Sequence, residues 1–268
     1  MITMDGTAAR LVVGSKESGD SLLLYGSYAR GDYDATSDID ILRIATHRAR
    51  GERMHEHVSI HTYDIKDLNA MAKQGSLFIL HLLREAKPLQ DPREFFSELR
   101  NAFVAPKSYA SDAKAALTPA SPILNISEPL FQRSPQTFMS TAMFLCRTLV
   151  YAEHADRGPF SFSLKSLAEK DEIASILCGI KDRSMSYSDF WRLREIVRSK
   201  LLLDSVGADA VSIKELTARS QGDPLFDSLL RRIVSGLRGA PYPVASNNRL
   251  QATAHSVRSS LAPAVCRA

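Results

Sequence analysis

Residues 21–42 read SLLLYGSYARGDYDATSDIDIL. A short apolar run ends at Gly26 and Ser27, and two aspartates, Asp38 and Asp40, follow with one isoleucine between them. Alternate side chains of a β-strand share a face, so the two carboxylates are predicted to project together while the neighbouring isoleucines face a core. Two carboxylates at this spacing can hold Mg²⁺, which completes its oxygen shell with water and substrate phosphates. The stretch therefore predicts a phosphate-binding turn followed by a metal-binding strand.

The turn has residues suited to an anion. Gly26 lacks a Cβ, so the backbone can turn tightly and a phosphate can approach its N–H groups. Ser27 adds a hydroxyl donor, and the residues after it predict a short helix whose positive end favours an anion. Two interpretations of Arg30 stay open: it adds a positive charge to this site, or it pairs at the surface with Asp32 or Asp34.

This pattern resembles the DNA polymerase β-like nucleotidyltransferase superfamily, whose signature is an apolar strand, Gly-Ser, a short basic turn and an Asp-x-Asp pair within an apolar strand. The resemblance extends over roughly residues 20–92. It implies an enzyme that moves a nucleoside monophosphate from NTP to a hydroxyl group and releases pyrophosphate, with Mg²⁺ held by Asp38 and Asp40. The acceptors it suggests are a small molecule such as an aminoglycoside, a protein side chain or an RNA end.

One expected residue of that superfamily is missing. Members usually supply a third carboxylate from a neighbouring strand, and the strand predicted at residues 57–63 has Ser59 in that position. His61, on the same predicted face, could bind metal or act as a base near neutral pH, or be an ordinary surface residue. The substitution leaves an alternative open: a nucleotide-binding regulatory module with weakened catalysis, as in toxin–antitoxin-like systems.

Residues 145–170 resemble the helical segment of aminoglycoside-modifying nucleotidyltransferases. By that resemblance Lys165 contacts the triphosphate and Glu153 is the base that takes the acceptor's hydroxyl proton. The alternatives are a solvated helix lysine and a surface acid. The same segment carries Arg147 and His154 with six residues between them, a spacing similar to the RNA-cleaving motif of the HEPN family.

The chain is predicted to have an α+β fold in two parts and a tail. Residues 1–104 are expected to form the small mixed-sheet nucleotidyltransferase domain, in the order helix, strand, helical turn, strand, strand, helix, helix and short strand. Its second long helix places His81 in the core. Residues 105–240 form an all-helical substrate and closure domain, and residues 241–268 a flexible tail. Four segments of the second part show helical spacing of apolar residues: 136–155, 163–180, 186–204 and 212–238.

Composition is that of a soluble globular protein. Of the 268 residues, 44% are hydrophobic and 24% charged, and the formal net charge of +4 suits an anionic substrate but not a dedicated duplex-binding surface. The three cysteines show no CxxC spacing, so neither a disulfide framework nor a zinc site is predicted. The chain begins without a signal-peptide pattern, which predicts a cytoplasmic protein with no membrane partner. An RNA partner and an oligomer remain open.

Overall fold

The structure is a computed structural model that describes residues 19–35, 37–45, 51–55, 57–181, 185–203, 208–220 and 222–235, with only the backbone described for residues 51–55 and Lys181. The predicted first helix and the predicted tail at residues 241–268 lie outside these residues.

Five strands form a mixed sheet in the order β3-β4-β2-β1-β5. The strands are β1 (Ser21–Tyr25), β2 (Ile39–Ala45), β3 (Gly51–His55), β4 (Val58–Asp64) and β5 (Lys87–Gln90). β2 and β4 are parallel, and the other neighbours are antiparallel. β3 was not predicted, because its sequence GERMH has charged residues and little apolar alternation, which is typical of an edge strand.

Both faces of the sheet are buried. One face packs Leu22, Leu24, Ile39, Ile41, Val58 and Ile60 together with Ala29. The opposite face carries Leu23, Tyr25, Leu42, Ile44 and Tyr63, which pack against the helices that follow β4. By strand alternation Asp40 belongs to this second face, at the end of β2 where the apolar packing begins.

Four helices belong to this first part: α1 (Gly26–Arg30), α2 (Ile65–Lys73), α3 (Leu77–Glu85) and α4 (Phe95–Ala102). Side-chain caps fix the beginnings of α2 and α3, since Asp64 accepts from the Lys66 N–H and Ser76 from the Phe78 N–H. Helix α4 was not predicted. Its first N–H groups donate to the Asp91 carboxylate, which holds the helix at the end of β5.

The second part is helical. Its elements are α5 (Tyr109–Leu117), a 3₁₀ turn (Ser121–Leu124), α6 (Glu128–Phe131), α7 (Pro135–Arg157), α8 (Leu164–Ala168), α9 (Glu172–Lys181), α10 (Tyr187–Leu201), α11 (Ile213–Ala218) and α12 (Pro224–Ser235). Among the described residues beyond β5, the only strand-like pairing is the bridge between Ile126 and Ala210. The long helix α7 supplies much of the core, including Phe138 and Phe144.

The predicted fold class is confirmed: a small mixed sheet with helices is followed by an all-helical part. Two predicted long helices are each divided in two. The segment at 163–180 breaks where Asp171 accepts from the Ala174 N–H, and the segment at 212–238 breaks where Asp223 accepts from the Phe226 N–H. Within the described part of the chain, no helix combines the length and apolar character needed to span a bilayer.

Candidate active site

The turn between β1 and α1 lies directly against the second aspartate of the pair. Antiparallel pairing of β1 and β2 sets Tyr25 opposite Asp40. Gly26, the next residue, has φ +73°, and a Cβ added there would lie 2.5 Å from Asp40 Oδ2. Glycine is therefore needed for two reasons: the left-handed backbone and the space that the carboxylate occupies.

The two aspartates occupy alternate positions at the start of β2. Asp38 precedes the strand and is exposed, whereas Asp40 lies within it and is half-buried. Ile39 and Ile41 point into the opposite, apolar face. The structure therefore brings the predicted metal-binding acids and the predicted phosphate-binding Gly26 to one end of the sheet, and the neighbouring Ser27 is half-buried at the beginning of α1.

Ser59 occupies the position beside Asp40 on the next strand. Parallel pairing of β2 and β4 sets Ser59 opposite Asp40 and His61 opposite Leu42. Ser59 is buried, and its Oγ lies 3.1 Å from His61 Nε2. The His61 ring also lies beside Tyr25, with ring centroids 6.4 Å apart. A serine–histidine pair thus stands at the position where the resemblance predicted from the sequence would have a third carboxylate.

The chemistry of these side chains fits Mg²⁺ better than a softer metal. Asp38 and Asp40 offer carboxylate oxygens, and Mg²⁺ is commonly bound by one or two carboxylates together with substrate phosphates. Among the described residues, no three His, Cys, Asp or Glu side chains gather into a metal-binding group. His61 is therefore not joined with the acid pair into such a group, and its metal role stays a prediction.

Arg30 lies at the other end of α1 and is bound by two acids. Its Nε donates to Asp32 Oδ1 at 3.1 Å, and its Nη1 donates to Glu85 Oε2 at 2.8 Å. Of the two interpretations of Arg30, pairing with an acid describes this structure, although Glu85 was not among the expected partners. A role in nucleotide binding stays a prediction.

Glu85 is the centre of a cluster that joins the sheet part to the helical part. Its Oε2 also lies 3.1 Å from His81 Nε2, and its Oε1 accepts from the Phe162 N–H at 2.6 Å and the Ser161 hydroxyl at 3.2 Å. Burial alone would raise the pKa of Glu85, but the hydrogen bonds from His81 and Arg30 outweigh it and lower that pKa to about 2. Burial lowers the pKa of His81, which favours the neutral imidazole.

Lys165 is placed against the loop that leads to the acid pair. Its Nζ lies 2.9 Å from Asp34 Oδ2, and the pair is largely exposed. The preceding Ser163 caps α8 through the Ser166 N–H and donates its hydroxyl to Asp32. The start of α8 therefore touches the segment that joins α1 to Asp38, and a contact of Lys165 with a triphosphate stays a prediction.

Glu153 lies elsewhere, on α7. Its Oε2 is 2.5 Å from Lys200 Nζ on α10 and 4.0 Å from Arg157 on its own helix. The contacts of its carboxylate are thus with the helical part, and its role as a base stays a prediction. On the same helix, His154 Nε2 lies 3.1 Å from Asp171 Oδ2, so the histidine of the HEPN-like spacing is held by an acid from the start of α9.

Several residues near the site were missed from the sequence. Glu85 is 55 residues from Arg30 and 77 from Phe162 along the chain, so no local pattern indicates that they meet. Arg84 and Lys87, which flank a depression beside this cluster, gave no signal either.

Residues 9–70 match the family model described as a nucleotidyltransferase domain. The match confirms the resemblance predicted for this part of the chain, and it is consistent with the DNA polymerase β-like nucleotidyltransferase superfamily. Strands β1 to β4, the Gly-Ser turn and the acid pair fall inside the matched residues, whereas β5 lies beyond them. A comparison with curated proteins found no match.

Proposed function

We propose that this chain is a Mg²⁺-dependent transferase that moves a nucleoside monophosphate from NTP to a hydroxyl acceptor and releases pyrophosphate. The observation that supports this most is the closeness of the Asp40 carboxylate to Gly26, where an added Cβ would lie 2.5 Å from Asp40 Oδ2. It brings a phosphate-binding turn and a metal-binding carboxylate next to each other within a domain that matches the nucleotidyltransferase family.

Each candidate residue has a separate role in this proposal. Backbone N–H groups of the Gly26–Ser27 turn and the Ser27 hydroxyl bind triphosphate oxygens. Asp38 and Asp40 would hold Mg²⁺, which when bound would neutralise phosphate charge and favour departure of pyrophosphate. Transfer of this kind depends mainly on positioning of the reactants and on electrostatic stabilisation of the transition state. The protein therefore needs little further covalent chemistry of its own.

The helical part, residues 105–240, completes the cleft and binds the acceptor in this proposal. The contact of Lys165 with Asp34, in the loop before Asp38, supports a role for this lysine in triphosphate binding. Two residues are proposed as the base that accepts the hydroxyl proton: His61, which lies on the strand beside Asp40, and Glu153. The acceptor classes are an aminoglycoside-like small molecule, a protein side chain and an RNA end.

A transfer assay tests the proposal. The chain is incubated with labelled NTP, Mg²⁺ and members of each acceptor class, and both label transfer and pyrophosphate release are measured. Asp38→Ala and Asp40→Ala should each abolish both signals, and removal of Mg²⁺ with EDTA should do the same. Label transfer that survives both substitutions would end the proposed mechanism.

A second candidate function rests on Ser59. The residue beside Asp40 is a buried serine paired with His61, not a carboxylate, which favours a module that binds nucleotide with little turnover. Calorimetry with NTP and Mg²⁺ separates the two candidates, since this module binds nucleotide yet releases no pyrophosphate with any acceptor. Ser59→Asp sharpens the test: a gain of pyrophosphate release in the variant alone would favour the module.

A further inference from the structure

A depression of about 460 Å³ lies at the C-terminal end of α1, between α3 and the segment that joins α7 to α8. Its wall includes three cations and two carboxylates: Arg30, Arg84, Lys87, Asp32 and Glu85. Ser161 and Ser166 add hydroxyl groups from the helical part. The depression is thus a polar site to which both parts of the protein contribute.

The two carboxylates of the wall are already engaged by the protein. Glu85 accepts from Arg30, from the Phe162 N–H and from Ser161, and its pKa of about 2 shows that it stays ionised in this environment. Asp32 accepts from Arg30 and from the Ser163 hydroxyl. Their negative charge is therefore largely compensated by groups that belong to the fold.

The two remaining cations of the wall, Arg84 and Lys87, are exposed. Within the described part of the chain, neither Arg84 nor Lys87 has a carboxylate at ion-pair distance. Arg84 is nevertheless held in place, because its Cζ lies 5.1 Å from the centre of the Phe160 ring and its Nη1 donates to the Phe160 carbonyl at 3.5 Å. Arg84, Lys87 and Ser166 line the same depression, and a guanidinium, an ammonium and a hydroxyl can together bind the oxygens of a tetrahedral anion.

We propose that this depression binds a phosphoryl group through Arg84, Lys87 and the Ser166 hydroxyl. The binding itself is independent of the proposed transfer reaction, whereas its use for a substrate rests on that reaction. α1 spans only about 6 Å at 1.5 Å per residue, so the depression lies close to the Gly26–Ser27 turn at the opposite end of the helix. The phosphoryl group then comes from the distal phosphates of the nucleotide or from a phosphorylated acceptor.

Calorimetry with inorganic phosphate and with tripolyphosphate, at low salt and with EDTA present, tests this proposal. Without metal, the negative charges of Asp38 and Asp40 repel anions, so the depression is the expected site of anion binding. Each of Arg84→Ala and Lys87→Ala should weaken binding about tenfold, since each removes a charge-assisted contact. Lys73→Ala removes an exposed lysine outside this wall and should leave the affinity unchanged.

Two further variants keep the test decisive. Arg84→Lys retains the charge if loss of the Phe160 contact unfolds the Ala variant, and it should bind better than Arg84→Ala. The Arg84→Ala, Lys87→Ala double variant should lose phosphate binding whether or not the transfer mechanism is correct, because neither residue takes part in that mechanism. Absence of binding to wild type at millimolar anion, or equal binding by wild type and the Arg84→Ala, Lys87→Ala double variant, would overturn the proposal.

Measured affinities for ATP and AMP identify the molecule that supplies the phosphoryl group. Reduced affinity of the Lys87→Ala variant for ATP, with AMP unaffected, assigns the depression to the distal phosphates of the nucleotide. Unchanged affinity for ATP, alongside weakened tripolyphosphate binding, assigns it to a phosphorylated acceptor. Both outcomes support a phosphoryl site.

Discussion

The charged side chains at the two ends of α1 are arranged in opposite ways. At its C-terminal end Arg30 donates to both Asp32 and Glu85, and Glu85 also accepts from the backbone of the helical part. At its N-terminal end two carboxylates occupy alternate positions at the start of β2, and one of them, Asp40, lies close to Gly26, which has no Cβ to occupy its space. The first arrangement holds the protein together. The second brings two carboxylates to the same end of the sheet, an arrangement that suits a bound cation.

The largest effect is expected from the acid pair, Asp38 and Asp40, near the N-terminal end of α1. Asp38→Asn and Asp40→Asn preserve shape while each removes one charge, so NTP-dependent transfer should fall by about 10³-fold or more with little change in unfolding temperature. The measurement is pyrophosphate release at saturating Mg²⁺. Asp67→Asn, an exposed acid in the first turn of α2, is the matched control and should retain full activity. A similar loss in that control would remove the distinction between the acid pair and other surface acids.

The cluster around Glu85, at the C-terminal end of α1, should contribute most to the free energy of unfolding. Glu85→Ala leaves Arg30, His81 and the Phe162 N–H without their common acceptor, so the free energy of unfolding should fall by about 3–5 kcal/mol. Urea denaturation at neutral pH measures this. Glu85→Gln keeps the shape and one acceptor oxygen and should lose less. Equal stability of the Ala variant and wild type would show that the cluster does not hold the two parts together.

Acid should weaken the same cluster. Glu85 has a folded pKa of about 2 against an ordinary value of 4.5, so its stabilisation is complete above about pH 4.5 and disappears as the pH falls towards 2. The amount is roughly 3 kcal/mol. His81 acts in the same direction from about pH 6.5 downward, because its lowered pKa means that the folded state resists protonation. Urea midpoints measured from pH 7 to pH 3 should fall more steeply for wild type than for Glu85→Gln.

Gly26→Ala tests the contact between the turn and the acid. The added Cβ would meet Asp40 Oδ2 at 2.5 Å and would also occupy a left-handed backbone, so transfer should fall roughly a hundredfold through displacement of Asp40. Gly31→Ala is a close control, since it has φ +89° and no atom within 4 Å of its added Cβ. Both variants should lose about 1–2 kcal/mol of stability. If both lose activity equally, backbone strain explains the effect and the proximity of Asp40 does not.

The smallest effect is expected at Lys165. Its exposed pair with Asp34 should contribute at most about 1 kcal/mol to stability, so Lys165→Ala should unfold near the wild-type temperature. If Lys165 contacts the triphosphate, the KM for NTP should rise about tenfold with kcat little changed. Asp34→Asn breaks the same pair and leaves the lysine in place. A rise in KM for Asp34→Asn alone would assign the loop, not Lys165, to the nucleotide.

What the sequence predicted well was local. The Gly-Ser turn, the Asp-x-Asp strand and the helices with strong apolar spacing depend on residues a few positions apart, and their patterns report backbone geometry directly. Ser59 was assigned through the family resemblance, and the parallel register of β2 and β4 sets it opposite Asp40.

The features that were not predicted depend on residues far apart in the chain or on weak sequence patterns. β3 is short and charged, and the breaks before α9 and α12 depend on single aspartate caps within otherwise apolar helical spacing. The Glu85 cluster joins residues from three separate segments, and only the folded chain shows that Arg30 turns towards it. Buried ion pairs of this sort carry no sequence period, so their partners cannot be identified without the fold.

The most direct measurement is a crystal structure with a non-hydrolysable NTP and Mn²⁺ as an anomalous substitute for Mg²⁺. The proposed mechanism predicts an anomalous peak between the carboxylates of Asp38 and Asp40, with triphosphate oxygens at the Gly26–Ser27 turn. Nucleotide bound in the crystal with no metal between those two carboxylates would contradict it.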